Sequence, residues 1–421
     1  MKIKNLLPVI LVTSLFFLWA LTSNLIPTLI PHLRKACRLT DFQSAFIDGA
    51  YWIAYFVVAL PAGWVMRKYG YKNAIIFGLL IAATGTFLFY PAAEQRTFAF
   101  FLVALFVVAA GMTFLETAAN PYMTILGPPH SASQRLNFAQ AFNGLGAFIA
   151  AFFLSKVILS GREINDLSLA KMSVSEVDLL LTSEAKSVQM PYIIIGLILL
   201  AVALVFIFTR FPAEENKTTA EKKSGAKLDI FKHRNLVLGI AAQFFYVGAQ
   251  VCISSFFIRY SNHAAGMAEL EAASYLGILL LGFMIGRYAG TFIMQFVNPA
   301  VLLATYSIIN ILLLIVVAFV GGRVSIYALV GVEFFMSIMF PTIFSLAIQG
   351  LGEKTKTASS LIVMSIVGGA LFPVLMGKVS DMFNIQLAYL VPACCFLVVL
   401  YFSIKVKLSN EPTKNAVLSA A

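Results

Sequence analysis

The sequence predicts an all-α membrane protein with twelve transmembrane helices in two pseudo-symmetric six-helix bundles. Of its 421 residues, 60% are hydrophobic and only 12% are charged, and the mean hydropathy is +0.89. No water-soluble domain needs so much apolar surface. The apolar residues form runs of about 20 residues, which is the length needed to cross a bilayer. A basic linker near the middle separates two sets of six runs.

The apolar runs define twelve predicted spans. They cover residues 7–30, 42–66, 73–92, 98–126, 136–160, 190–211, 236–260, 273–296, 299–320, 324–350, 358–380 and 386–406. Two connections are long, residues 161–189 and residues 212–235. The second is predicted to be a cytoplasmic linker between an N-terminal bundle, residues 1–211, and a C-terminal bundle, residues 236–421.

Basic residues predict the orientation, because cytoplasmic loops are enriched in lysine and arginine. Most of them fall on one side of the predicted spans, which places both termini in the cytoplasm. These residues are Lys2, Lys4, Arg67, Lys68, Lys72, Lys354, Lys356, Lys405, Lys407 and those of the central linker. The formal charge of +11 therefore indicates orientation rather than a nucleic-acid partner. Arg34, Lys35 and Arg38 on the opposite side weaken this assignment without reversing it.

Small residues and prolines recur in matching spans of the two bundles. The pairs are Ala62-Gly63 with Ala289-Gly290, Pro121 with Pro341, and Gly146 with Gly368. Glycine and proline are common in membrane helices, but agreement in three pairs of spans favours an internal repeat. Secondary transporters are built from such repeats, with the substrate near the midplane.

Glu116 is the strongest candidate for a functional group inside a span. It lies near the middle of the apolar run from Phe98 to Leu126, where a carboxylate costs roughly 2.5–3.5 kcal/mol unless it faces a cavity or a partner. Asn120 follows one helical turn later on the same face, and Pro121 removes a backbone donor beside them. This combination predicts a site for a proton or a polar solute.

Two other carboxylates fall inside predicted spans. Asp48 begins a face that continues with Tyr51, Trp52 and Tyr55, and aromatic rings beside a carboxylate suit a sugar, which has apolar ring faces and a rim of hydroxyls. The alternative for Asp48 is an interfacial carboxylate beside an aromatic belt. Glu333 has few polar neighbours one turn away on its own helix, so its role stays open.

Uncharged amides and hydroxyls recur on several spans. They are Asn24 and Thr28 on the first span, Gln140 and Asn143 on the fifth, and Gln243, Tyr246 and Gln250 on the seventh. One set alone is explained by hydrogen bonding between helices, worth about 0.6 kcal/mol per bond. Several sets facing one centre favour an uncharged polyhydroxyl ligand. Arg287 in the eighth span is expected to be structural, reaching the surface or pairing with a loop carboxylate.

Motifs of other protein classes are absent from the sequence, and no cofactor or metal is expected. A Walker motif, a nucleophile elbow, a zinc-binding helix and a dinucleotide fingerprint are all missing, which argues against ATP-driven pumps and most enzymes. The four cysteines have neither metal-site nor disulfide spacing. All four histidines fall in loops or near span ends, so carboxylates are the groups expected to carry any transported proton.

Several motifs resemble one transporter family. The segment Pro61–Lys72 resembles the loop signature between the second and third helices of the major facilitator superfamily. Over about residues 7–404 the chain is similar to the fucose–proton symporter family within it. The motifs that carry this similarity are Ser14–Ala20, Leu115–Pro121, Gly248–Gln250 and Pro341–Leu346. Ser187–Gln189 with Pro191-Tyr192 favours the fucose branch over the glucose/galactose branch.

The resemblance implies a major facilitator fold in a bacterial inner membrane. It implies a protein that works as a monomer, with a sugar, a proton and the lipid bilayer as its partners and no nucleic acid. It also implies that Glu116 is the proton site and that Asn24, Gln140 and Asn143 line the sugar cavity.

One position departs from the family pattern. Pro27 stands where the family's first helix carries an aspartate, so a second protonatable residue is missing. Asp48 on the next helix is a candidate replacement. Otherwise coupling runs through Glu116 alone, or the stoichiometry or the substrate differs.

The sequence thus predicts proton-coupled import of a neutral monosaccharide, with L-fucose as the first candidate, and no enzymatic activity. The alternatives are a glucose/galactose or N-acetylhexosamine symporter of the same family and a transport-inactive sugar sensor. Drug efflux is disfavoured by the amides. The predicted proton-coupling residues are Glu116 and Asp48. The predicted substrate-binding residues are Trp19, Asn24, Glu116, Asn120, Gln140, Asn143, Tyr246 and Gln250.

Overall fold

The computed structural model describes residues 6–23, 37, 41–150, 172–211 and 229–410. Within these ranges the regular structure is α-helix with four short 3-10 turns. The helices are α1 (Leu6–Ser23), α2 (Asp41–Gln95), α3 (Phe98–Ile125), α4 (Ala132–Ile149), α5 (Val174–Ser187), α6 (Gln189–Phe208), α7 (Arg234–Ala265), α8 (Glu269–Ile293), α9 (Pro299–Phe319), α10 (Gly322–Met336), α11 (Met339–Ile348), α12 (Thr355–Met364), α13 (Gly368–Met382), α14 (Ile385–Ala388) and α15 (Leu390–Asn410).

The helices agree with the twelve predicted spans. Among the described residues, nine helical stretches are long and apolar enough to cross a membrane. Some of these stretches join two of the helices named above. One of the nine, α2, contains both the second and the third span. It is kinked at Gly70, where φ is 83° and ψ is 171°, a conformation that favours glycine. Of the remaining spans, α1 covers residues 7–23 of the first and α4 covers residues 136–149 of the fifth. Residues 24–30 and 151–160 of these spans lie outside the described residues.

The connection predicted over residues 161–189 contains a helix that the sequence analysis missed. Helix α5 begins with a reciprocal cap, since the Ser173 hydroxyl accepts from the Glu176 N–H and the Glu176 carboxylate accepts from the Ser173 N–H at 2.8 Å. Arg96, just beyond α2, binds Asp178 at 2.6 Å. The mixed charges of this connection therefore cap and anchor a helix.

The first of two compact units comprises α1 to α3, residues 142–149, α5, α6 and residues 359–364. Helix α2 packs along α3 and α6. Gly111 lies directly against Ala82, with no room for a Cβ atom, and such small residues bring membrane helices close together. Every residue of α3 from Val108 to Thr124 is buried, so Glu116 lies in the most enclosed part of its helix.

Lys72 ties the end of α6 to α2 in the first unit. Its ammonium group donates to the carbonyl oxygens of Ile207 and Thr209, each at 3.0 Å. The last carbonyls of a helix have no partner within the helix. A cation at that end also interacts favourably with the negative end of the helix dipole. Lys72 therefore caps α6.

The second unit comprises residues 127–141, 229–358 and 365–410 among those described. Helix α7 packs against α11, α13 and α15, and α10 packs against α8 and α9. The first part of α4, up to Ala141, belongs to this unit, and the second part, from Phe142, belongs to the first unit.

Gly146 and Gly368, one of the pairs behind the predicted repeat, have equivalent surroundings. A Cβ atom on Gly146 would lie 2.5 Å from the backbone oxygen of Phe17 in α1. A Cβ atom on Gly368 would collide with the backbone oxygen of Phe244 in α7. The fifth and eleventh spans thus approach the first and seventh spans through the same contact, which supports pseudo-symmetry between the halves.

Candidate functional site

Glu116 is enclosed by the helices of the first unit. It is 7% exposed and interacts electrostatically with the hydroxyl groups of Tyr51 and Tyr55 on α2. Asn120, one turn later, is fully buried, and its amide nitrogen donates to the backbone oxygen of Glu116 at 3.0 Å. The carboxylate therefore lies within electrostatic range of a group of aromatic hydroxyls.

That group, here called the Trp19 cluster, consists of Trp19, Ser23, Tyr51 and Tyr55. The indole Nε1 of Trp19 donates to the Tyr55 hydroxyl at 2.8 Å. The Tyr51 hydroxyl donates to Ser23 Oγ at 3.1 Å and lies 3.2 Å from the Tyr55 hydroxyl. The centres of the two tyrosine rings are 5.1 Å apart. The cluster combines ring surfaces with a chain of hydroxyls, which suits a ligand with apolar faces and a polar rim.

The aromatic part of the face predicted on the second span is present. Tyr51 packs edge-on to Trp52, with centroids 5.6 Å apart, as well as against Tyr55. The side chain of Asp48 lies outside the described residues, as does the whole of Asn24. Their predicted roles stay predictions.

Gln140 and Asn143 lie one turn apart on α4, and both are buried, with 5% and 8% exposure. Asn143 belongs to the first unit and Gln140 to the second. The backbone oxygen of Gln140 accepts from Arg287 Nη1 at 2.6 Å. The structure thus shows a packing contact for the Gln140 backbone, and sugar binding by either amide stays a prediction.

Arg287 has structural contacts, as expected, but the expectation that it reaches the surface is wrong. The residue is 3% exposed. Its Nε donates to the backbone oxygen of Ser337 at 2.8 Å, and its guanidinium lies 4.6 Å from the ring centre of Phe283. Backbone carbonyls and a ring face stabilise the buried cation. These contacts cannot be read from the sequence.

The tenth span, predicted as continuous, is interrupted between Met336 and Met339. Carbonyl groups freed by a helix break in a membrane need donors. Tyr246 supplies one, since its hydroxyl donates to the Met336 oxygen at 3.1 Å, and Arg287 supplies the other at Ser337. Tyr246 is fully buried, and this hydrogen bond satisfies its hydroxyl. A role of Tyr246 in sugar binding stays a prediction.

Helix α7 carries a polar stripe formed by Gln243, Gln250 and Ser254. Gln243 is fully buried, and neither atom of its amide has a hydrogen-bond partner among the described residues. Gln250 is half-buried. Ser254 Oγ donates to Glu333 Oε1 at 3.2 Å and also lies 3.2 Å from the backbone oxygen of Gln250. An unsatisfied buried amide is costly, which makes Gln243 a candidate ligand group.

Sequence reasoning missed two polar contacts made by the first part of α4. The hydroxyls of Ser133 and Ser345 are 2.6 Å apart, and the Asn137 amide donates to Thr342 Oγ1 at 3.0 Å. Asn137 lies about one turn before Gln140, so its helical face was the available clue.

The sequence model of the Major Facilitator Superfamily matches residues 11–366. The chain belongs to the Major Facilitator Superfamily. It is accordingly a multi-pass membrane transporter and not an enzyme.

Related members of the Major Facilitator Superfamily are transporters of sugars. The L-fucose-proton symporter of Escherichia coli (strain K12) is 44% identical over 406 residues, covering 94% of this chain and 92% of that protein. A glucose/galactose transporter of Brucella abortus biovar 1 is 37% identical, covering 93% and 92%. A crystal structure of a superfamily transporter, FucP, in the outward conformation superposes with a TM-score of 0.90 at 43% identity, covering 96% of this chain and 99% of that one.

Within the described ranges, no three His, Cys, Asp or Glu side chains come together as metal ligands. The candidate groups described above are carboxylates, amides and aromatic hydroxyls.

Proposed function

We propose that this protein imports L-fucose together with a proton. The observation that carries the proposal is the buried Glu116 carboxylate within electrostatic range of the Trp19 cluster. The proposal is supported by a relative named L-fucose-proton symporter at 44% identity. A relative named glucose/galactose transporter, at 37% identity, supports the wider class of neutral hexoses and gives the second candidate function.

The Trp19 cluster supplies the surface that recognises a sugar. Trp19, Tyr51 and Tyr55 offer rings that pack on the C–H faces of a pyranose, and their polar atoms reach its hydroxyls. The amide of Asn143, in the same unit, adds a donor and an acceptor. None of these groups carries a charge, which matches an uncharged ligand.

Glu116 couples the sugar to the proton. When protonated it both donates and accepts hydrogen bonds, and when ionised it only accepts. A sugar hydroxyl that accepts from the acid form therefore binds more tightly when the proton is present, and the proton binds more tightly when the sugar is present. The loaded site exchanges access from one side of the membrane to the other, as alternating access requires.

We further propose a bacterial inner-membrane location with both termini in the cytoplasm, since the basic loops lie on that side. The proposed divisions remain residues 1–211 and 236–421 around the linker 212–235. The protein works as a monomer in this proposal.

Uptake into proteoliposomes tests the function. Radiolabelled L-fucose is expected to accumulate when the outside is more acidic, and the accumulation should collapse with a protonophore. Excess unlabelled D-galactose, D-glucose or N-acetylglucosamine, added in turn, reports which sugar competes. Stronger competition by D-galactose would favour the second candidate function. Saturable binding without any flux would establish a sensor and would overturn the proposal.

A further inference from the structure

Glu333 is a second enclosed carboxylate, in the second unit. It belongs to α10, which with α11 forms an apolar span of 27 residues, Gly322–Ile348. It is 2% exposed and lies roughly 16 Å along the helix from Gly322 at ~1.5 Å per residue, near the middle of the span. The transport steps proposed above give it no task.

The contacts of Glu333 do not balance a negative charge. The Ser254 hydroxyl on α7 donates to Glu333 Oε1 at 3.2 Å. None of the ion pairs among the described residues includes Glu333, and no basic nitrogen of these residues lies within 4.0 Å of its carboxylate. A charge enclosed without a counter-ion is costly in a membrane protein. The neutral acid is therefore the form that fits this environment.

The neighbouring elements do not supply the missing positive charge. Tyr246 on α7 and Tyr389 before α15 both interact electrostatically with Glu333. Tyr306 on α9 packs its ring against α10. Helix α8 presents Arg287, whose Nε and Nη1 donate to two backbone carbonyls. The groups around Glu333 are thus hydroxyls and one cation that is engaged elsewhere.

The polar stripe on α7 leads away from Glu333. Ser254 contacts the carboxylate and the Gln250 backbone, and Gln250, one turn away, is half-buried. Gln243 lies two turns further on the same face, because residues seven apart share a side of a helix, and it is fully buried. The stripe therefore provides polar groups between the enclosed acid and the half-buried Gln250.

We propose that Glu333 is a second proton-binding carboxylate of the transport cycle, protonated in the conformation described and emptied along the α7 polar stripe. This inference rests on the proposed function, because proton coupling explains an acid where a glutamine would accept from Ser254 equally well. The step makes and breaks one O–H bond, and the proton enters from one side of the membrane and leaves to the other.

Infrared difference spectroscopy of the full chain in lipid vesicles measures the protonation of Glu333 directly. The wild-type spectrum minus the Glu333→Gln spectrum at neutral pH is expected to show the C=O band of a carboxylic acid, shifted in heavy water. Glu353→Gln, which changes an exposed carboxylate, is the matched control and should remove only bands of an ionised carboxylate. The same ionised bands for Glu333 would overturn the proposal.

The ratio of protons to sugar provides the functional readout. Alkalinisation of the medium during L-fucose uptake is expected to fall by about one proton per sugar in Glu333→Gln, since one titrating site is lost. Sugar counterflow should persist and would show that the variant is folded. Glu333→Asp keeps a titratable group and should restore the ratio. A wild-type ratio and pH profile in Glu333→Gln would overturn the proposal.

Failure of this inference can be told apart from failure of the proposed function. Wild-type vesicles that take up sugar without moving protons would remove the symport proposal, whatever Glu333 does. The infrared spectrum needs no transport, so it decides the protonation of Glu333 in either case. Symport by the wild type with an ionised Glu333 would leave the proposed function standing and remove only this inference.

Discussion

The backbone oxygen of Phe17 lies so close to Gly146 that a Cβ atom there would sit 2.5 Å from it. A backbone atom cannot rotate away as a side chain can, so α1 and α4 must separate to admit a methyl group. Overpacking of this kind costs about 1–3 kcal/mol.

We expect Gly146→Ala to lower the thermal stability of the purified protein, and Gly368→Ala to do so through its equivalent contact with Phe244. Melting curves in detergent measure both. The control is Gly282→Ala, where the nearest atom is an ordinary 3.6 Å away. Equal melting temperatures for the three variants would contradict the packing argument.

Glu116→Gln should uncouple the protein. Glutamine keeps the size and hydrogen-bonding capacity of the side chain but cannot titrate. We expect accumulation of L-fucose against its gradient to be lost while counterflow is partly retained. Glu271→Gln, an exposed carboxylate, should accumulate sugar normally. Normal accumulation by Glu116→Gln would remove Glu116 from the proton pathway.

Asn143→Ala should weaken sugar binding. A buried polar partner left unpaired costs ~1–3 kcal/mol, so the apparent affinity for L-fucose is expected to fall by roughly tenfold. Equilibrium binding of labelled sugar measures it. Asn73→Ala changes an exposed asparagine that bonds to the Tyr69 oxygen and should leave affinity unchanged. If both variants bind equally, Asn143 acts only in helix packing.

Asp48→Asn tests the acid that the sequence offers in place of the one missing at Pro27. If Asp48 takes part in coupling, the variant should shift the pH profile of uptake, and adding Pro27→Asp should recover part of it. The pH dependence of initial uptake rates measures both effects. An unchanged profile would identify Asp48 as an interfacial residue and leave coupling to other carboxylates.

Asp229 should make stability depend on pH. The hydrogen bond and charge of Lys232, 2.5 Å away, hold the pKa of Asp229 below its usual value, and Lys354 and His233 act in the same direction. Since the pKa is lower in the folded state, the stabilisation is complete above the unfolded value of about 3.9 and is lost as the pH falls through the folded value. The group is exposed, so the effect is small and screened by salt.

The expected result is a slightly lower melting temperature for Asp229→Asn than for the wild type at neutral pH and low salt, with the difference vanishing in acid. The control Asp381→Asn, an exposed aspartate without an ion pair in the described ranges, should show no such change. A difference that persists in acid would mean that the charge of Asp229 is not its cause.

Hydrophobic runs predicted the spans because length and apolarity are local properties. The break after Met336 also has a local cause in the sequence. Pro341 lacks the N–H that would bond to the carbonyl of Ser337, four residues earlier, and its ring clashes with that carbonyl. What the sequence did not show is how the freed carbonyls are stabilised, since their donors, Tyr246 and Arg287, lie on distant helices.

The candidate site was predictable in part for the same reason. Glu116 and the spacing of Tyr51 and Tyr55 are visible in one dimension. The hydrogen bond from Trp19 to Tyr55 joins two helices, so it cannot be read from the sequence. Glu333 was judged by neighbours on its own helix, although its hydrogen-bond donor, Ser254, lies on another. Side chains near in space but far in sequence account for what was missed.

Lys72 carries a consequence for engineering the orientation of this protein. It is one of the cations that the charge pattern predicts on the cytoplasmic side, and it also caps the end of α6. A lysine scan that moves positive charge between loops would change two things at this position, the direction of insertion and the integrity of a finished helix. Arg67 and Lys68 lie in the same predicted loop, so charge can be redistributed there while Lys72 is left in place.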